Sequence, residues 1–144
     1  MGEEGYVAAA KRVLTAADQL AAGIARIPGL AVLGKHTMVV AWKSTDSGVN
    51  IYTVNDVLTS SGGWHLNALQ RPAALHFCVT PANAESVPQL LDDLGQAVAK
   101  VRAAKKGKAV QGGMAPVYGL AGSLPDRGAV GDILKLAQDV MLDG

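Results

Sequence analysis

Seven apolar residues near the start of the chain, Val7, Ala10, Leu14, Ala17, Leu20, Ile24 and Ile27, recur at intervals of three and four. That spacing follows the pitch of an α-helix and gathers them into one stripe that needs an apolar surface to lie on. Pro28-Gly29 ends the run, because proline cannot continue a helix and glycine readily takes the backbone conformation that closes one. A helix this long, opening the chain almost at its first residue, commits the rest of the sequence to supplying a second layer.

The following segments read as that layer. Thr37 to Trp42 is a continuous apolar run of strand length, rich in β-branched residues, as expected of a central strand. A polar, glycine-containing turn covers Ser44 to Asn50. Ile51-Tyr52 reads as a short strand feeding a helix over Val54, Val57 and Leu58, which Gly62-Gly63 ends. Trp64 to Asn67 is a second candidate strand and Ala74 to Thr80 a clearer one. In the latter Leu75, Phe77 and Val79 point one way while Ala74, His76 and Cys78 point the other. Asn83 or Ser86 can cap a helix whose buried stripe is Val87, Leu90, Leu91, Leu94, Val98 and Val101. Lys105, Lys106 and Lys108 form a charged linker before an irregular Gly/Pro segment from Gln111 to Gly119. A last helix is expected from Asp126, carrying Val130, Ile133, Leu134, Ala137, Val140 and Met141. The predicted fold is an α/β (α+β) sandwich, a small and mainly antiparallel sheet with helices on one or both faces.

At 144 residues the chain has the length of one domain, with enough material for a real core. A net charge of +1 with scattered basic residues argues against a nucleic-acid partner, which needs a concentrated basic face. The single cysteine, Cys78, excludes an internal disulfide framework and any multi-cysteine metal site, and suits a reducing, cytoplasmic setting. The first residues lack the apolar core of a signal peptide, and no apolar run reaches the ~18 residues of a membrane span.

Generic catalytic motifs are missing: no P-loop, no dinucleotide-type glycine fingerprint, no His-Glu-x-x-His pair, no Gly-x-Ser-x-Gly elbow. His36, His65 and His76 stand too far apart for a helical metal pair, and no metal site is expected. His76, in an apolar strand, reads as an imidazole hydrogen-bonded to backbone, and Cys78, on the same face, as a small filler. Two segments resist a purely structural account. Gly63 to Pro72 crowds Trp64, His65, Asn67, Gln70 and Arg71 in front of a strongly apolar strand. Gly113 to Gly119 brackets Tyr118 with glycines that permit close backbone approach. A strand–loop–strand turn and a buried crossing are the structural alternatives.

Both segments resemble the sphingosine-1-phosphate lyases, within the group II pyridoxal-phosphate decarboxylases. Gly63-Trp64-His65-Leu66-Asn67-Ala68-Leu69-Gln70-Arg71-Pro72 is similar to that family's Gly-Trp-x-Leu-Asn-x-Leu-Gln-x-Pro, and Leu75-His76-Phe77-Cys78 to the strand that follows it. Gly113-Met114-Ala115-Pro116-Val117-Tyr118-Gly119 resembles the family's Gly-Met-x-x-x-Tyr-Gly segment, and Asp126-Arg127 the pair heading its last helix. Gly5-Tyr6-Val7, before a helix with Lys11, resembles the passage from the family's large domain to its small one. Arg71 departs from the pattern, standing where an aromatic residue is expected. It could hold a carboxylate or phosphate bidentately, which leaves the substrate open.

The resemblance implies that residues 1–144 are one C-terminal small domain of a fold-type I enzyme. The parent enzyme would cleave a phosphorylated long-chain base by a retro-aldol reaction to a fatty aldehyde and phosphoethanolamine. The family holds pyridoxal phosphate through a lysine that follows a histidine, and none of the eight lysines here does. The cofactor site, and the upstream large domain that carries it, are thus expected outside this chain. The chain alone is expected to bind no cofactor and to be inactive, and the full-length enzyme is expected to be a homodimer. Tyr118 is the residue implied to approach cofactor or substrate phosphate, then Arg71 as an anion contact, with Asn67 and His65 beside them. A small domain of a related amino-acid decarboxylase, with Arg71 holding a substrate carboxylate, and a stand-alone binding or oligomerisation module remain as alternatives.

Overall fold

The computed structural model describes residues 2–104 and 115–117. Helix α1 (Glu3–Arg26) is followed by strands β1 (Leu30–Val32) and β2 (Val39–Ser44), helix α2 (Ile51–Gly62), strands β3 (Asn67–Leu69) and β4 (Ala74–Cys78), and helix α3 (Val87–Ala104). A single turn of 3-10 helix, Ala84–Ser86, leads into α3. The four strands form one antiparallel sheet in the order β1-β2-β4-β3. This is the expected sheet of an α/β sandwich.

Alternation along the strands decides where the core lies. Leu30, Val40, Trp42, Leu75, Phe77 and Val79 point inward and join residues of all three helices in one buried cluster. All three described helices therefore cover the same face. Ala41 and His76 pair on the opposite face, with Asn67 completing their row from β3. The alternation read for β4 is the one observed.

Several expectations shift in detail. The buried stripe of α1 is Val13, Ala16, Ala17, Leu20, Ala21 and Ile24, so Ala17, Leu20 and Ile24 are inward as expected while Val7 and Leu14 are exposed. Ile51 and Tyr52 open α2 rather than forming a strand. The cause is Asn50, whose side-chain oxygen accepts the amides of Tyr52 at 2.9 Å and Thr53 at 3.3 Å and so starts the helix there. At the other end Gly63, with φ at 66°, closes α2 while its amide and that of Trp64 donate to Thr59 and Leu58. The strand expected over Trp64 to Asn67 begins only at Asn67, and β2 runs from Val39 rather than Thr37. Asn83 does not cap α3. Its side chain accepts the Thr80 amide at 2.7 Å and donates to the Cys78 carbonyl at 3.1 Å, clipping the turn after β4. The expectations for Lys105 to Lys108, Gln111 to Met114 and the helix from Asp126 lie outside the described residues.

Candidate functional site

Helix α2 holds both segments that the sequence singles out. Tyr52 sits one helical turn before Asp56, so their side chains share one face of the helix. The Tyr52 hydroxyl donates to the carbonyl oxygen of Leu69 at 2.7 Å, fastening the end of β3 just ahead of the β3–β4 turn. The Asp56 carboxylate accepts the backbone amide of Ala115 at 3.0 Å. Neighbours at this spacing have Cβ atoms about 5–6 Å apart, so the two segments are anchored close together. Tyr52 and Asp56 were not singled out from the sequence. No sequence signal marks them, because α2 also carries Thr53, Asn55, Thr59, Ser60 and Ser61 and a tyrosine and an aspartate look ordinary among these.

Trp64 secures the start of the first segment. Its indole nitrogen donates to Asp93 on α3 at 2.8 Å, and its ring meets Phe77 edge-on with centroids 6.2 Å apart. A Cβ placed on Gly62 would lie 2.6 Å from the indole, so a glycine is needed there for space. Asp93 also accepts from Gln89 at 3.0 Å, which fixes the carboxylate that receives the indole.

From this frame the expected site residues can be placed. Arg71 lies exposed in the β3–β4 turn with φ at 61°, the only non-glycine residue with positive φ among those described, and its bond to Pro72 is cis. Asn67 is exposed at the edge of the sheet, on the face opposite the helices, paired with His76. His65 is exposed between α2 and β3. Asn67 and Arg71 thus belong to one strand and its turn, and His65 to the approach to that strand. Tyr118 lies outside the described residues; the Ala115 anchor is three residues before it. His76 is half-buried, and among the described residues its buried Nδ1 has no partner, where a hydrogen bond from this imidazole to backbone is the expectation.

Of the lysines among the described residues, Lys11, Lys35 and Lys100 are exposed and Lys43 is half-buried on β2. A Schiff-base lysine needs an amine withdrawn from water beside the ring. Lys11, Lys35 and Lys100, exposed to solvent, do not have that setting. Among the described residues no group of three His, Cys, Asp or Glu side chains converges as a metal site would require.

The four-stranded antiparallel sheet and its three described helices make this an α/β fold. The chain is homologous to one segment of the sphingosine-1-phosphate lyases. It is 43% identical over 140 residues to the sphingosine-1-phosphate lyase of Arabidopsis thaliana, covering 96% of this chain and 25% of the relative. With the enzyme of that name from Saccharomyces cerevisiae it shares 33% identity over 135 residues, 93% of this chain and 23% of the relative. The solved structure of the Burkholderia pseudomallei sphingosine-1-phosphate lyase superposes with a TM-score of 0.65 at 39% identity, covering 73% of this chain and 24% of that one. The chain therefore spans about a quarter of the length of the relatives it matches. No family model matches it.

Proposed function

We propose that residues 1–144 are one small domain of a pyridoxal-phosphate-dependent carbon–carbon lyase that cleaves a phosphorylated long-chain base to a fatty aldehyde and phosphoethanolamine. The observation that carries this reading is sequence identity of 43% spread over 96% of the chain, with relatives named for that substrate. In this reading the cofactor and its lysine reside in a large domain outside the chain, and the whole enzyme is a cytoplasmic homodimer. The isolated chain would be inactive and cofactor-free. No helix among the described residues is long and apolar enough to cross a membrane.

The contribution of this domain is to shape and charge one wall of the active-site cleft. Arg71, on a turn braced through Tyr52, would present its guanidinium to the substrate phosphate, where a planar pair of donors matches two phosphate oxygens. Asn67 and His65 offer neutral donors on the same stretch of chain. Tyr118, close in sequence to the Asp56–Ala115 anchor, would bring a hydroxyl to the cofactor or to the phosphate.

The test is a chimera in which this sequence replaces the matching segment of the Burkholderia pseudomallei enzyme. It is expected to release fatty aldehyde from a phosphorylated long-chain base. Arg71→Ala in the chimera is expected to raise KM by roughly 10- to 150-fold with a smaller change in kcat, the loss of one charge-assisted contact of about 1.5–3 kcal/mol. A chimera that holds the cofactor yet leaves this substrate intact would sink the proposal, and one that decarboxylates an amino acid would favour the related decarboxylase.

A further inference from the structure

The face of the sheet turned away from the three described helices carries a histidine and a lysine that the proposed cleft wall leaves unused. His76, in the middle of β4, stands between Ala41 of β2 and Asn67 of β3. Lys43, two residues along β2 from Ala41, points to the same side, and its own partner on β1 is Ala31. Directly opposed residues in such pairs hold Cβ atoms about 4.5–5.5 Å apart, and diagonal neighbours lie roughly 7–8 Å apart, within reach of long side chains. Lys43, His76 and Asn67 therefore form one polar cluster. Ala31 and Ala41 beside it end at their Cβ atoms and leave room above the sheet.

Two observations set the sign of what this cluster can hold. No Asp or Glu occurs in any of the four strands, so the Lys43 ammonium is the only formal charge on them. His76 buries Nδ1 with no partner among the described residues, and Nε2 is the ring nitrogen left in reach of solvent. A proton on Nδ1 would be a buried donor without an acceptor, so the neutral ring carries its proton on Nε2 and offers a donor outward. Asn67, which is exposed, adds an amide donor. One cation and two neutral donors suit an anion with several oxygens.

We propose that Lys43, His76 and Asn67 form a subsite for a phosphate monoester on this face of the sheet. The ammonium neutralises the phosphate, while His76 Nε2–H and the Asn67 amide donate to separate oxygens. The subsite is separate from the contact proposed for Arg71, which lies beyond Leu69 past the end of β3. The cluster rests on the sheet alone; the choice of phosphate rests on the reading of this chain as part of a lyase that acts on a phosphorylated substrate.

The test is a titration of the 144-residue chain with inorganic phosphate at fixed pH and ionic strength, read at the imidazole nitrogens by long-range proton–nitrogen NMR. His36, hydrogen-bonded to Asp18 on α1, is the internal control. The His76 Nε2 resonance is expected to move saturably with a millimolar midpoint while His36 stays still. Lys43→Gln is expected to raise that midpoint roughly tenfold, and acetate in place of phosphate to raise it by a similar factor. His76 unmoved, or moving in step with His36, overturns the proposal, as does a folded Lys43→Gln variant that binds as tightly as wild type. The wild-type titration decides alone if that variant does not fold. Equal midpoints for acetate and phosphate reassign the cluster to a carboxylate and overturn the proposal too. Saturation at His76 beside a chimera without lyase turnover upholds the subsite and sinks the proposed reaction alone; turnover with His76 unmoved does the reverse.

Discussion

At the scale of the residue, Arg71 combines an unfavourable backbone with an exposed charge. An L-residue in the left-handed region costs roughly 1–2 kcal/mol, which the fold must offset elsewhere, and such positions gather where geometry serves a ligand. Arg71→Gly should therefore stabilise the isolated domain by about 1 kcal/mol, read as a rise in the urea midpoint with unchanged slope. In the chimera the same change should weaken substrate binding. If stability does not rise, the turn is not strained at that residue. Arg71, Asn67 and His65 could be picked out from sequence because polar residues crowded before an apolar strand are conspicuous. Tyr52 and Asp93 could not, since a tyrosine in a helix and an aspartate on a charged helix face look ordinary until their partners, Leu69 and Trp64, are brought across the fold.

At the scale of the element, α2 is the part on which the candidate site depends. Its start rests on Asn50, and Asn50→Ala should cost about 1 kcal/mol of unfolding free energy, measurable by chemical denaturation. Asn50→Asp, which can accept the same two amides, should retain most of the stability. A cost near zero for the alanine variant would show that packing of Ile51 and Tyr52 fixes the helix start instead. The sequence pattern locates α1, α3 and β4 well because each is long or cleanly periodic. It misses β1, whose three residues are a strand only because β2 pairs with them. It misplaces β3 because Trp64 and Leu66 are apolar for reasons of their own, one packed against Phe77 and the other buried from irregular backbone. It reads Ile51-Tyr52 as strand because β-branched and aromatic residues favour strands, a preference that the Asn50 cap overrides.

At the scale of the whole molecule, the sheet is lined by described helices on one face only, and its two central strands come from distant parts of the chain. Strands β1 and β2 meet across one short connection, as do β3 and β4, whereas the β2–β4 seam joins residue 39 to residue 78 with α2 and β3 in between. The consequence is kinetic. Each outer pair can form at little cost in loop-closure entropy, while the seam must close a loop that already contains a helix, so its closure should set the folding rate. Truncations on the seam, Val40→Ala or Phe77→Leu, should chiefly slow refolding in stopped-flow traces. Ala68→Gly in β3 should chiefly accelerate unfolding. The opposite pattern would mean that the edge hairpin forms the nucleus and the central seam follows it.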